Sequence, residues 1–232
     1  MVPLRMSTPG SVGPGGAPLV VAHRAGNQLD VLRASEASGV TFVEADVNLF
    51  RGRLEIRHLK TVGPLPLYWD RWEIAPPWRS RLLLEDMLAA AAPTTELMLD
   101  LKGRDQRLAQ RVIEAIEPYL GSRRLTIAAR HWPLLEAFEG LPVRRLHSVG
   151  TSRQLKALIR RAAGRPLDGV TIHERLLDSA AVGELRRVAG VVMTWPVNDA
   201  VRAGELVRLG VDGLISDRPA ALSELAAPEV AA

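Results

Sequence analysis

Four short stretches carry the residues on which chemistry could rest. The run "LVVAHRAG" (19–26) ends an apolar segment in His23 and Arg24, polar groups that are costly to place beside a core. In "FVEADVNLF" (42–50) Glu44 and Asp46 stand two residues apart, and in "ELMLDLKG" (96–103) so do Asp100 and Lys102. Along a strand, positions i and i+2 project from the same face. Glu44 and Asp46 therefore point the same way, which is unfavourable unless a cation sits between them. The stretch "RLEIRH" (53–58) brings His58 to the end of a short extended segment. Three carboxylates without a thiolate suit a hard divalent ion, Mg²⁺ or Ca²⁺. Two histidines suit proton exchange near neutral pH, and Arg24 with Lys102 suits an anionic phosphate. Each residue alone has a plainer use: Glu44 and Asp46 in ion pairs with arginines, His58 on the surface, Asp100 and Lys102 in a salt bridge. Together, each near a predicted strand end, they describe phosphodiester cleavage.

Residues at strand ends need strands whose ends meet. Short aliphatic runs at 19–23, 42–48, 97–102, 125–129, 145–149, 169–173, 191–195 and 213–216 read as strands. Between them, 106–117, 152–163, 178–189 and 199–209 show apolar residues at helical spacing, with Asp178 and Asn198 or Asp199 as N-caps and Gly210 as a stop. Strands alternating with helices imply parallel pairing through crossovers. Eight of them predict a single-domain α/β fold, the (β/α)₈ TIM barrel, with a doubly wound open sheet as the alternative. Barrel enzymes carry their sites at the C-terminal ends of the strands. The Gly/Pro-rich residues 1–17 read as a flexible leader to a domain over 18–232.

Composition narrows the rest. The 232 residues are 47% hydrophobic but only 4% aromatic, so Leu, Val, Ile and Ala must fill a sizeable core. Absence of cysteine excludes disulfides, zinc–thiolate sites and thiol nucleophiles. The sequence pI is about 10.1, yet the formal charge is only +4 and the arginines are scattered. Arg123–Arg124, Arg144–Arg145, Arg160–Arg161 and Arg186–Arg187 read as solvated element ends rather than a phosphate track, so no nucleic-acid partner is expected. No apolar run reaches membrane-spanning length and no secretory signal is visible; the expectation is a cytoplasmic protein without stable membrane insertion, its oligomeric state open. Residues 59–81 cluster Tyr68, Trp69, Trp72 and Trp78, either a mini-core pinning a loop or a substrate-facing lip. His131 and His147 lack acidic neighbours and read as structural; His173, ending "TIHER", stays outside the proposed site.

From residue 19 to 219 the chain resembles the glycerophosphodiester phosphodiesterase family. The resemblance rests on "AHR" after the first strand, "VEADV" in the second, His58, and "LDLK" in the third. "TWPVND" is similar to that family's tryptophan–valine–asparagine segment, and "LGVDGLISDRP" to its closing strand. This resemblance implies a (β/α)₈ barrel that hydrolyses glycerophosphodiesters to an alcohol and glycerol phosphate. In that reading His23 and His58 are the acid–base pair and Arg24 and Lys102 hold the phosphate. Glu44, Asp46 and Asp100 bind the divalent metal, and Trp195 lines the glycerol side of the pocket or else packs near the barrel core. Attack by the substrate's own glycerol hydroxyl, through a cyclic phosphate, is within the family's repertoire.

The chain also departs from the family. Ala25 intervenes before Gly26, only Asn27 remains of a Glu-Asn-Thr segment, and Leu59 replaces an aspartate. Asp100 stands where glutamate is commoner, and the insertion after His58 is short. These departures bear on substrate more than on chemistry. They leave open a lysophospholipase D-like or sphingomyelinase D-like enzyme acting on lysolipids, and an inactive barrel that binds phosphate-containing ligands.

Overall fold

A computed structural model of the chain describes residues 17–58, 60–61, 68–70, 73–75 and 81–222. In chain order the strands are β1 (Leu19–Ala22), β2 (Phe42–Phe50), β3 (Arg53–Ile56), β4 (Lys60–Thr61), β5 (Tyr68–Asp70), β6 (Glu73–Ala75), β7 (Leu82–Leu83), β8 (Glu96–Lys102), β9 (Leu125–Ala129), β10 (Arg144–Val149), β11 (Gly169–His173), β12 (Val192–Trp195) and β13 (Gly213–Ser216). The helices are α1 (Leu29–Ala37), α2 (Leu84–Ala90), α3 (Gln106–Ile116), α4 (Pro133–Glu136), α5 (Ser152–Ala162), α6 (Ser179–Val188) and α7 (Ala200–Arg208). The eight segments anticipated as strands are β1, β2 and β8 to β13, and their order with the intervening helices gives a (β/α)₈ barrel. First and last strands pair in parallel, Leu19 beside Gly213 and Ala22 beside Ser216, which an open doubly wound sheet does not do. The residues group into two compact units, one built on β1 and the chain from Arg144 onward, the other on His23–Val143.

In the His23–Val143 unit, β2 pairs in parallel with β8, and β8 with β9. The first six residues of β2 are buried on both faces, as expected of a strand in a parallel sheet covered by helices. Glu44 and Asp46 are thus polar exceptions within an otherwise apolar strand. A tight turn at Arg51 (φ 49°) and Gly52 (φ 80°) returns the chain into the antiparallel β3, the twist-matched geometry of a two-residue hairpin. Helix α3 buries Leu108, Ala109, Val112 and Ile116, one apolar stripe at helical spacing. The β4–β5–β6 sheet is a separate antiparallel ribbon. Tyr68 and Trp69 belong to β5, whereas Trp72, Trp78 and Leu59 lie outside the described residues. So does the expected leader, apart from Ala17.

In the other unit, β10, β11, β12, β13 and β1 form a continuous parallel ladder. Asp178 caps α6 by accepting from Ala181 N at 2.8 Å, and Asp199 caps α7 by accepting from Arg202 N at 2.8 Å; such caps each contribute about 1 kcal/mol. Asn198 serves elsewhere, its side chain bonding Ser216, Asp217 N and Asp217 Oδ2. Gly210, at φ 97°, ends α7 as anticipated. No helix among the described residues is long and apolar enough to cross a membrane.

One arginine pair departs from expectation. Arg123 is buried, not solvated: it donates to Ala91 O at 2.9 Å and lies over the Tyr119 ring. Its stem and planar head pack where a lysine's hydrated ammonium would not. His147 differs too, because folding supplies an acidic neighbour, Asp168, that local sequence hides. Burial first, with Arg161 adding to it, pushes the His147 imidazole down to about 4.

A group whose folded pKa lies below its unfolded value binds fewer protons when folded, so its stability contribution is intact above the unfolded pKa near 6.5 and lost as pH falls toward 4. A drop from 6.5 to about 4 corresponds to roughly 3 kcal/mol. Melting curves from pH 7 to 4.5 should show wild type losing stability across this window and His147→Gln losing markedly less. Parallel curves for the two proteins would remove His147 as the acid-sensitive group.

Candidate active site

The register of β2 against β8 builds the acidic cluster. Asp46 lies directly beside Asp100, and Asn48 beside Lys102. Since paired residues of parallel strands share a face, Glu44, Asp46, Asp100 and Lys102 all converge. One oxygen from each of Glu44, Asp46 and Asp100 lies within 4.8 Å of the others. Lys102 Nζ reaches Asp46 Oδ1 at 2.7 Å and also bonds Asp100 Oδ2. Its ammonium, expected from the sequence as a phosphate holder, is therefore seated on two carboxylates.

The electrostatics follow. Burial, and then the neighbouring Asp46 charge, push the Glu44 carboxyl well above the usual range. Burial would raise Asp46 as well, but the charge and close contact of Lys102 and the hydrogen bond from Asn27 outweigh it and hold Asp46 below its ordinary value. Burial opposes the charge on Lys102, and Asp100, Asp46 and Glu44 together overcome it and raise the ammonium's pKa. Three carboxylates thus share one ammonium. Asp46 Oδ1 is buried with that ion contact but no well-directed hydrogen bond. Excess negative charge and an undersupplied carboxylate oxygen fit a hard divalent cation.

The turn after β1 reaches the same cluster. Alternation alone would send Arg24 away from the face of His23, so a change of direction is required there. Arg24 itself supplies it, in the left-handed region at φ 57°, ψ 11°, where few non-glycine residues sit. This places its backbone N–H on Glu44 Oε2 at 2.7 Å. Gly26, two residues on, has a different purpose. A Cβ there would come within 2.8 Å of Ala45 Cβ and 3.2 Å of Glu44 O, so only glycine lets the turn lie flat on β2. Asn27 then bonds Asp46 twice: its Nδ2 donates to Oδ2 at 2.8 Å, and its Oδ1 accepts from Asp46 N at 2.9 Å.

His58 is brought inward rather than left on the outer surface. Arg57, just before it, is pinned by its N–H to Asp46 O at 2.9 Å and by Asn48 Nδ2 donating to its carbonyl at 2.6 Å. Its side chain is buried in an ion pair with Glu55, Nε to Oε2 at 2.8 Å. Arg24 Nη2 lies 2.8 Å from His58 Nε2. A guanidinium can only donate, so Nε2 accepts and the ring proton is on Nδ1. His23, half-buried, directly follows β1. Six of the anticipated residues, His58, Arg24, Glu44, Asp46, Asp100 and Lys102, are thus linked by contacts within one unit. Trp195 belongs to the other unit, at the end of β12, where its ring meets His173 at 4.8 Å between centroids.

Sequence reasoning overlooked Asn48 and the Glu55–Arg57 pair as parts of the site, and noted Asn27 only as the remnant of a Glu-Asn-Thr segment. The signal for the last was present, an acid and a base two apart in an extended segment, the same spacing that singled out Glu44 and Asp46. Nothing local marks Asn48, whose partner is nine residues away, or ties Asn27 to Asp46, 19 residues on.

No family model and no curated protein sequence matches the chain. Solved structures do. A phosphodiesterase of Oleispira antarctica, solved in complex with the product sn-glycerol-3-phosphate, superposes with a TM-score of 0.73 at 19% identity, covering 90% of this chain and 96% of that one. The glycerophosphodiester phosphodiesterase of Thermotoga maritima gives 0.72 at 17% identity, over 90% and 98%. That of Parabacteroides distasonis gives 0.66 at 20% identity, over 90% and 98%. At these identities the likeness is one of fold: the chain has the (β/α)₈ architecture of the solved glycerophosphodiester phosphodiesterases.

Proposed function

We propose that the protein hydrolyses glycerophosphodiesters to an alcohol and glycerol phosphate. The observation that carries this reading is the seating of Arg24 and His58 against the Glu44–Asp46–Asp100 cluster. A divalent cation, Mg²⁺ or Ca²⁺, held by those three carboxylates would supply positive charge against the phosphate oxygens. The Arg24 side chain is 41% exposed, so its outer N–H groups can take up a phosphate oxygen while its backbone stays on Glu44. Lys102 adds a second positive charge beside the phosphate. A phosphate that draws the guanidinium toward itself leaves His58 Nε2 bare to accept a proton from the attacking hydroxyl. That hydroxyl belongs to water, or to the substrate's own glycerol. As the new P–O bond forms and the old one breaks, His23 gives its proton to the departing alcohol oxygen.

A panel of soluble glycerophosphodiesters and lysophospholipids, each with Mg²⁺, Ca²⁺ or chelator, tests the reading. Turnover of a soluble diester that chelator abolishes and cation restores is the expected result. Preference for lysolipids would move the substrate class to lipids. Full activity in chelator would refute the role of the cation, and no turnover of any diester would leave a phosphate-binding barrel.

A further inference from the structure

The two hydrogen bonds between Asn27 and Asp46 do more than tie a turn to a strand. Asp46 has two carboxylate oxygens, and only one can face the cluster while the other is engaged elsewhere. Asn27 Nδ2 occupies Oδ2 at 2.8 Å. Oδ1 is left buried, with Lys102 Nζ as its ion partner and no aligned donor. The second bond, from Asp46 N to Asn27 Oδ1 at 2.9 Å, fixes the amide plane. Nδ2 therefore cannot swing away without breaking both contacts. Two-point attachment of this kind holds a carboxylate in one rotamer more firmly than a single bond of equal length.

The grip is set up by the chain just before it. Arg24 turns left-handed, Gly26 lies within a Cβ radius of β2, and the N–H of Asn27 bonds Arg24 O at 3.0 Å. One four-residue turn thus orients two carboxylates, Glu44 through Arg24 N–H and Asp46 through the Asn27 amide.

We propose that Asn27 is the positioning residue of the cation site: it selects Asp46 Oδ1 as the ligand oxygen and holds it toward Glu44 and Asp100. The proposal rests on the reading above that these carboxylates hold a divalent cation. Groups that orient ligating carboxylates typically change metal affinity 10- to 100-fold when removed.

Calorimetric titration of Mg²⁺ and of Ca²⁺ into the full-length protein, Asn27→Ala and Asn27→Gln tests it, with circular dichroism and cation-free melting temperature as controls of folding. Asn27→Ala should bind roughly 10- to 100-fold more weakly than wild type. Asn27→Gln, which keeps both amide groups on a longer arm, should fall between the two and supplies the comparison if the alanine variant folds poorly. A wild type that binds cation, with both variants binding equally well, overturns the role of Asn27 alone. So does a variant that lowers the cation-free melting temperature without changing affinity, since that marks a purely structural bond. A wild type that takes up neither ion overturns the cation site itself, and the role of Asn27 with it.

Discussion

His58→Gln should lower turnover of a soluble glycerophosphodiester by roughly 10²- to 10⁴-fold, the usual contribution of a positioned acid–base group. Glutamine can still accept the Arg24 N–H that now ends on Nε2 at 2.8 Å, so the guanidinium keeps its place and the fold its stability. What glutamine cannot do is carry a proton through the reaction. The loss should therefore appear in kcat and kcat/KM alike, with KM little changed. The pH–rate profile should lose the limb that reports the base. A variant within threefold of wild type, with the same pH profile, would remove His58 from the proton path and leave Arg24's hold on it a structural contact.

Asp46→Asn should abolish the cation's effect on stability as well as on rate. A ligand that binds only the folded state stabilises it by RT ln(1 + [L]/Kd), about 2.7 kcal/mol at a hundredfold excess over Kd. In a protein of 232 residues that is a rise of roughly 5–11 °C in melting temperature. Wild type should show such a rise with saturating Mg²⁺ or Ca²⁺. The asparagine variant has the same shape but one charge fewer and an amide where Oδ1 meets Lys102, and it should show almost none. Removing the Asp46 charge also relieves Glu44, whose carboxyl Asp46 helps to push upward. The cation-free variant should for that reason remain folded. An equal thermal shift in both proteins would place the cation elsewhere.

What was legible in advance differs by the range over which each feature is determined. The barrel strands could be read because strand formation is local: "LTIAA" and "GVTIH" are apolar, β-rich and bounded by turn residues, and β9 and β11 fall on them residue for residue. The cluster could be read because i, i+2 spacing within a strand fixes a shared face without knowledge of the neighbours. The β2–β8 register could not, yet it decides that Asp46 meets Asp100 rather than Met98. Long-range polar partners were likewise hidden. Glu36 accepts from Ala92 N at 2.9 Å and Thr95 Oγ1 at 2.6 Å, partners more than 50 residues away that nothing beside it in the sequence announces. Arg123 was misjudged for the same reason, since its burial against Ala91 and Tyr119 depends on chain that is distant or out of pattern.

The left-handed conformation of Arg24 has an evolutionary reading. A residue with a Cβ at φ 57° is held there at a cost of about 1 kcal/mol or more that glycine would avoid. Selection for robustness alone would put glycine at this position, and the turn would keep its shape and its N–H on Glu44. Arg51 is also left-handed, at φ 49°, but in a hairpin turn, whereas the Arg24 side chain lies 2.8 Å from His58. If Arg24 holds the phosphate as proposed, position 24 trades fold stability for that group, and Arg24→Gly should raise the melting temperature while lowering turnover.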